Sequence, residues 1–322
     1  MRKIAVALLA VATTFAIAAT AAVQYGARPS VSDCIGPAPS GAFSTYRVQA
    51  ADGNCLQGYV WAPADGAVRA AVVVVHGIHD HARRYAALAQ ALNASGVAVL
   101  AQDHRGHAAS GGARQRIDSV EQAADDVGLA LAEAGRRYPG VPLFVHGHSL
   151  GGLVAAHVTA NAAQPLAGAI ISSAALKLPA SAGAGQVRVV KLLSSLAPTL
   201  PLEPIDETRF VRDAAARAAL AADPLIAREK VPARTIATVL GGIESLQPRM
   251  AGITTPLLVL HGSADQVTEV DGSRELVARA GSPDKSLKVF DGALHDLLNE
   301  PERSAVTQEI VAFVGQRSPA PR

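Results

Sequence analysis

Four consecutive valines, Val72 to Val75, constrain this chain more than any other feature. A run that is apolar and β-branched at every position has no face to offer water, so as a strand it must be buried on both sides. Leu257-Leu258-Val259-Leu260 repeats the pattern. From residue 43 onward such runs alternate with longer Ala-rich stretches of helical character, which describes a mostly parallel sheet with helices on both faces. Eight strands are expected: Thr45 to Gln49, Leu56 to Trp61, Ala71 to His76, Ala98 to Asp103, Leu143 to His146, Gly168 to Ser172, Leu257 to His261 and Leu287 to Phe290. The first two differ from the rest. Tyr59 and Trp61 stand beside Gly58 after Asp52-Gly53-Asn54, the signature of an antiparallel hairpin.

The alternation breaks between about residues 176 and 250. No strand is expected there, and Pro179, Pro198, Pro201, Pro204, Pro224 and Pro232 punctuate helical pieces. This reads as a helical cap inserted between two parts of one core, residues 43–175 and 251–316, with a short tail at 317–322. Within it Val189, Val190, Leu193 and Leu196 or Ala197 form one helical stripe. The stripe is expected to pack on the core, with a lipid-contacting lid as the alternative.

The chain has 322 residues, 29 Lys plus Arg against 27 Asp plus Glu, and 49% apolar residues. That balance excludes a disordered polymer and a polybasic nucleic-acid binder. Its start is different from its core. Met1-Arg2-Lys3 precedes an uncharged run from Ile4 to Val23, and Ala19-Thr20-Ala21 offers small residues for cleavage before Ala22. Residues 1–21 are read as a secretory signal peptide and 22–42 as a leader, with an uncleaved membrane anchor as the alternative. In an exported chain the two cysteines, Cys34 and Cys55, are expected to form one disulfide.

Chemistry enters at Gly147-His148-Ser149-Leu150-Gly151. The five residues join an expected buried strand to a small-residue helix, the arrangement of a nucleophile elbow, where a sharp turn exposes the serine. A serine hydroxyl is a weak nucleophile at neutral pH and needs a base, and the base needs an acid to fix its tautomer. Asp265 follows the strand Leu257 to His261, and His295 follows Leu287 to Phe290. Both therefore fall at the carboxyl ends of strands, where ligands bind in such sheets. Asp271, Asp291 and Asp296 match in type but not in placement.

A tetrahedral oxyanion requires two preorganised N–H donors. Leu150, next to the nucleophile, supplies one, and Ile78 in the loop His76-Gly77-Ile78-His79-Asp80-His81 is the best candidate for the other. His79, His81, His104 and His107 make no ligand set at a recognised spacing, so no metal is expected. No other cofactor is expected either.

Taken in order, His76 to Tyr85, Asp103 to His107 through Ser110-Gly111-Gly112, Gly147 to Gly152, Pro204-Ile205-Asp206, Asp223-Pro224-Leu225, Gly262 to Asp265 and Gly292 to His295 resemble the monoacylglycerol lipase and lysophospholipase family of α/β-hydrolases, also described as serine aminopeptidase-like. The resemblance covers about residues 43 to 316. It implies the α/β-hydrolase fold and a serine esterase acting on a small lipid-like ester with a single acyl chain, with transient membrane-surface contact through the cap. The family alternative is an aminopeptidase; it would need acidic cap groups for a free amine, for which Glu203, Asp206, Glu207 and Asp223 are available. Two departures stand out: the family usually has Gly then Glu at His79 and Asp80, and Gly at Ala108.

Overall fold

The computed structural model describes residues 41–64, 66–161, 165–178, 183–203 and 206–320. The expected signal peptide, the leader up to residue 40 and Cys34 lie outside them, and so therefore does the expected Cys34–Cys55 pairing. The eight expected strands all form, with ends shifted by up to two residues: β1 (Ser44–Gln49), β2 (Cys55–Trp61), β3 (Ala70–Val75), β4 (Val97–Gln102), β5 (Leu143–His148) and β6 (Gly168–Ser172), then, beyond an insertion carrying β7 and β8, β9 (Leu257–Gly262) and β10 (Lys285–Phe290). They make one sheet in the order β1-β2-β4-β3-β5-β6-β9-β10. Only β1–β2 and β2–β4 pair antiparallel; the other neighbours are parallel.

The valine run does what its composition requires. Val73 and Val75 join the core on one face, with Val120 of α2 (Val120–Arg137) and Leu153 of α3 (Leu150–Asn161). Val72 and Val74 join the core on the other, with Leu88 and Leu92 of α1 (Ala86–Asn93) and Ile310 at the far end of the chain. All four valines are buried.

The insertion between β6 and β9 carries α4 (Ala184–Leu196), α5 (Ala214–Ala222) and α6 (Ala233–Leu246). The chain then closes with α7 (Val270–Arg279) and α8 (Arg303–Gln316). The expectation that the insertion has no strand needs correction. Pro201–Glu203 (β7) and Val231–Pro232 (β8) pair antiparallel as a small separate ribbon. Its strands are too short, and too rich in proline, to leave a period in the sequence. The element seated on the core is α6, where a side chain at Gly242 would collide with Val120 and Leu153. Thr235 and Thr238 donate to the Gln115 and Ile117 carbonyls at 2.7 and 2.8 Å. The stripe on α4 packs only in part: Val190, Leu193 and Ala197 are half-buried, whereas Val189 and Leu196 are exposed, Leu196 by 71%, and the helix's one buried residue is Ser194.

Behind the carboxyl ends of β3 and β4 the core is polar. His76 Nε2 accepts the His104 N–H at 2.9 Å, and His104 Nε2 lies 3.0 Å from the His76 carbonyl. Arg105 forks onto both Asp126 oxygens at 2.8 Å. Burial pushes the pKa values of these histidines and of His146 and His148 on β5 down, His76 well below the ordinary imidazole range, His104 and His148 to about 4, and His107 and His146 to about 3. They are therefore neutral when folded, whereas an unfolded histidine takes its proton near pH 6.5. Below that pH the unfolded state binds more protons, so the stability present above pH 6.5 is lost as pH falls toward 4. Each such histidine contributes about 1.4 kcal/mol per pH unit over that window. Urea unfolding at pH 7, 6 and 5 is expected to give a steeply falling midpoint; a constant midpoint would show that these rings are charged in the fold.

Candidate active site

The strand β5 ends at His148, the helix α3 begins at Leu150, and Ser149 makes the turn between them. Its φ of +57° lies in the left-handed region, which costs a non-glycine residue about 1–2 kcal/mol. Four backbone bonds hold it there, one of them from the Ala175 N–H to the Ser149 carbonyl at 3.3 Å. The Ser149 N–H donates to the Ser172 carbonyl at 3.0 Å, and the Ser149 carbonyl accepts from Gly152 and Leu153 at 3.0 and 3.1 Å. A side chain at Gly147 would strike the Gly151 carbonyl, and one at Gly151 would strike the carbonyls of Val75 and His76. The two glycines are thus required by the close crossing of β3, β5 and the first turn of α3.

The loops after β9 and β10 bring Asp265 and His295 together. A side chain at Gly262 would strike the Ala293 and Leu294 carbonyls, so this glycine lets the second loop cross the end of β9. Asp265 Oδ2 lies 2.8 Å from His295 Nδ1, while Oδ1 accepts from the Val267 and Thr268 N–H groups at 2.7 and 3.0 Å. Burial alone would push this carboxyl up, but His295, His261 and the backbone donors hold it well below the usual range. It is an anion, and anions only accept, so the proton sits on His295 Nδ1. In the neutral ring Nε2 is then the acceptor. This nitrogen is buried and has no hydrogen-bond partner among the described residues. The ring lies 4.8 Å from that of His148 and 5.6 Å, edge on, from that of Phe210.

Ser149 and His295 line one small cavity of about 30 Å³, with Ile78 and His79 in its wall. No hydrogen bond joins the two side chains in this state. A side chain on Gly77 would stand 3.1 Å from Ser149 Cβ, so the loop after β3 lies against the elbow. Leu150 is the first residue of α3 and its N–H has no intrahelical acceptor; Ile78 is half-buried in the facing loop. The two expected departures from glycine both keep a glycine-like backbone: His79 has φ +64° and Ala108 φ +39°.

Sequence reading missed a second charged cluster in the same cavity. Arg84 binds Asp80 Oδ1 at 3.0 Å and Asp296 Oδ2 at 2.7 Å, and the Tyr85 hydroxyl reaches Asp80 Oδ2 at 3.2 Å. Burial opposes ionisation of both carboxyls, but Arg84 between them holds both below their ordinary values. Asp296, a competitor for the triad acid by type, thus pairs with Arg84 and not with His295. Asp271 binds Arg274 and Asp291 accepts from Ser263, both at the surface. The sequence signal was the position of Asp80, Arg84 and Asp296 in or beside the motifs that carry the family resemblance. Of the histidines weighed as metal ligands, His81 binds Asp223 at 2.9 Å and His107 the Arg105 carbonyl at 3.0 Å. Among the described residues no group of three or more His, Cys, Asp or Glu could hold a metal ion.

Residues 66–302 match the family described as "Serine aminopeptidase, S33". The chain is 36% identical over 255 residues to the monoacylglycerol lipase of Mycolicibacterium smegmatis, covering 79% of this chain and 91% of that one. It is 34% identical over 271 residues to the human monoglyceride lipase, covering 83% and 89%. Among solved structures it resembles the monoacylglycerol lipase of Paleococcus ferrophilus, with a TM-score of 0.72 and 28% identity over 86% of this chain and 99% of that one. A soluble variant of the Saccharomyces cerevisiae monoglyceride lipase, at 20% identity and a TM-score of 0.77 over 89% of this chain, shares the fold. With its parallel sheet, its elbow serine and this degree of identity, the chain belongs to the monoacylglycerol lipase and serine aminopeptidase family of α/β-hydrolases, and is a hydrolytic enzyme.

Proposed function

We propose that the protein hydrolyses carboxylic esters of monoacyl lipids, monoacylglycerols or lysophospholipids, through an acyl-enzyme on Ser149. The observation that carries this reading is the Asp265–His295 hydrogen bond, which leaves Nε2 of His295 without a partner among the described residues, in a ring lining the same cavity as Ser149. In the first step His295 Nε2 takes the Ser149 proton as Oγ attacks the ester carbonyl. The N–H groups of Ile78 and Leu150 receive the oxyanion, and His295 returns the proton to the departing alcohol. Water, activated by the same nitrogen, then releases the acid.

The cavity supports an amphipathic substrate. Residues 176–250 act as the cap and contribute an apolar wall of Phe210, Leu220 and Ile226, suited to an acyl chain. The Asp80–Arg84–Asp296 cluster offers hydrogen bonds to a hydroxylated headgroup. A free amine is less well served, since Asp223 is engaged by His81 and by the Leu225 N–H. The exposed Val189, Leu192 and Leu196 form an apolar surface on α4 suited to transient contact with a lipid surface; no helix among the described residues is long and apolar enough to cross a membrane. The charged start, the uncharged run and the pair Cys34 and Cys55 support export and a disulfide.

Ser149→Ala is expected to lower activity by several orders of magnitude, and a fluorophosphonate should label the wild type at Ser149. Asp265→Asn should slow that labelling, and Ile78→Pro should cost roughly 3 kcal/mol in kcat/KM, the worth of one oxyanion donor. Absence of labelling, or full activity in Asp265→Asn, removes the mechanism; faster cleavage of alanyl anilide than of p-nitrophenyl octanoate or monoacylglycerol replaces esterase by aminopeptidase. At the surface, Leu192→Glu with Leu196→Glu should depress hydrolysis of monoacylglycerol in vesicles while sparing a dissolved octanoate ester, and equal loss on both would refute lipid contact by α4. Intact-mass measurement of the exported protein should find a chain starting at Ala22 with no thiol alkylated before reduction. A retained Met1 or two free thiols would contradict that reading.

A further inference from the structure

A second histidine reaches the carboxylate that the mechanism uses. His261, the fifth residue of β9, is fully buried, and its Nε2 lies 3.2 Å from Asp265 Oδ2, the same oxygen that is bound to His295. Its other nitrogen is also engaged: His261 Nδ1 lies 2.7 Å from the hydroxyl of Ser273, a buried residue of α7. The proton positions follow from the acceptor at the end of this chain. Asp265 is an anion and can only accept, so the His261 nitrogen facing it, Nε2, is the donor, and in that tautomer Nδ1 accepts from Ser273.

Thr268 completes the surroundings of that oxygen. Its hydroxyl lies 2.8 Å from Asp265 Oδ2 and 3.0 Å from the Ser173 carbonyl, and 3.4 Å from His261 Nε2 and from His295 Nδ1. The terminal torsion of an aspartate is intrinsically broad, so a carboxylate keeps one orientation only if donors fix it. His261 is a rigid donor, delivered from a strand and locked by Ser273.

We propose that His261 is a positioning residue for hydrolysis: through its hydrogen bond to Asp265 it aims that carboxylate, and thereby His295, at Ser149, with Ser273 holding His261 in the required tautomer. The proposal rests on the reading of Ser149, Asp265 and His295 as a triad. Loss of His261 leaves Oδ2 with one donor fewer and the carboxylate freer to turn toward the Thr268 side, so the defect falls on proton transfer and not on substrate binding.

The test measures kcat and KM for p-nitrophenyl octanoate on the full chain, together with the far-downfield proton resonance of His295 Nδ1–H. His261→Leu is expected to lower kcat about ten- to a hundredfold, the worth of a hydrogen bond to a charged acceptor, with KM changed by less than about twofold. The resonance should shift or broaden. His261→Gln, which keeps an N–H donor, should restore kcat to within about fivefold and recover the resonance. Ser273→Ala removes a single oxygen from the core and should lower kcat about three- to tenfold by freeing the tautomer. Wild-type kcat in His261→Leu, equal loss in the Leu and Gln variants, or an effect confined to KM would overturn the proposal. If neither His261 variant folds, Ser273→Ala decides, and an unchanged kcat with an unmoved resonance rejects it. Failure of the fluorophosphonate to label wild-type Ser149 would instead reject the triad reading beneath it.

Discussion

The carboxylate of Asp265 is 1% exposed, yet it stays ionised with N–H and O–H groups, not an arginine or lysine, as its hydrogen-bond partners. An isolated buried anion would cost several kcal/mol, and protonation would relieve that cost. Here the backbone of residues 267 and 268, the Thr268 hydroxyl and two imidazoles offset it. The donors come from three places: the loop itself, β9, and the loop after β10. Stabilising the anion therefore fixes three chain segments relative to one another. The orientation of His295 depends on that convergence, and with it the free nitrogen that borders the serine.

The neighbouring Asp80–Arg84–Asp296 cluster solves a similar problem by different means. Two buried carboxylates share one guanidinium, and the fork geometry of arginine lets it meet both. The His148 ring lies close to His295 and is held neutral by its burial, then by its histidine neighbour. Charges in the cavity are thus confined to defined positions. The Phe210 carbonyl, which accepts the Asp296 N–H at 2.9 Å, ties the insertion to the loop that bears His295.

Backbone strain collects in the same region. Ser149, Ser173 and His79 all have positive φ, and Ala108 joins them in the loop after β4. Each costs about 1–2 kcal/mol relative to an ordinary conformation, so the surrounding bonds must over-determine them. For Ser149 those bonds are visible in the Ser172 carbonyl and the first turn of α3. His79 and Ala108 occupy positions where the family resemblance places glycine, and the backbone holds its turn despite the added side chains. His79 puts a ring whose Nδ1 has no partner among the described residues into the cavity wall.

The sheet was legible in the sequence because strands buried on both faces cannot alternate, and because Val72 to Val75 leave no other arrangement. Ser149, Asp265 and His295 were legible for a related reason: each sits at the carboxyl end of an expected strand, and a parallel sheet gathers those ends. Chain order plus strand direction sufficed to collect them. The insertion was not readable in this way. A stripe such as Val189, Val190 and Leu193 identifies an apolar helix face but carries no information about its partner, and the face of α4 is split, with Val190 and Leu193 half-buried and Val189 open. Nor could sequence pair Arg84 with Asp296 or bring His261 and His295 to one oxygen, since hydrogen bonds of 2.7–3.2 Å between distant residues leave no periodicity. Those contacts exist only where the tertiary fold removes water and forces each buried polar atom to find its partner inside the protein.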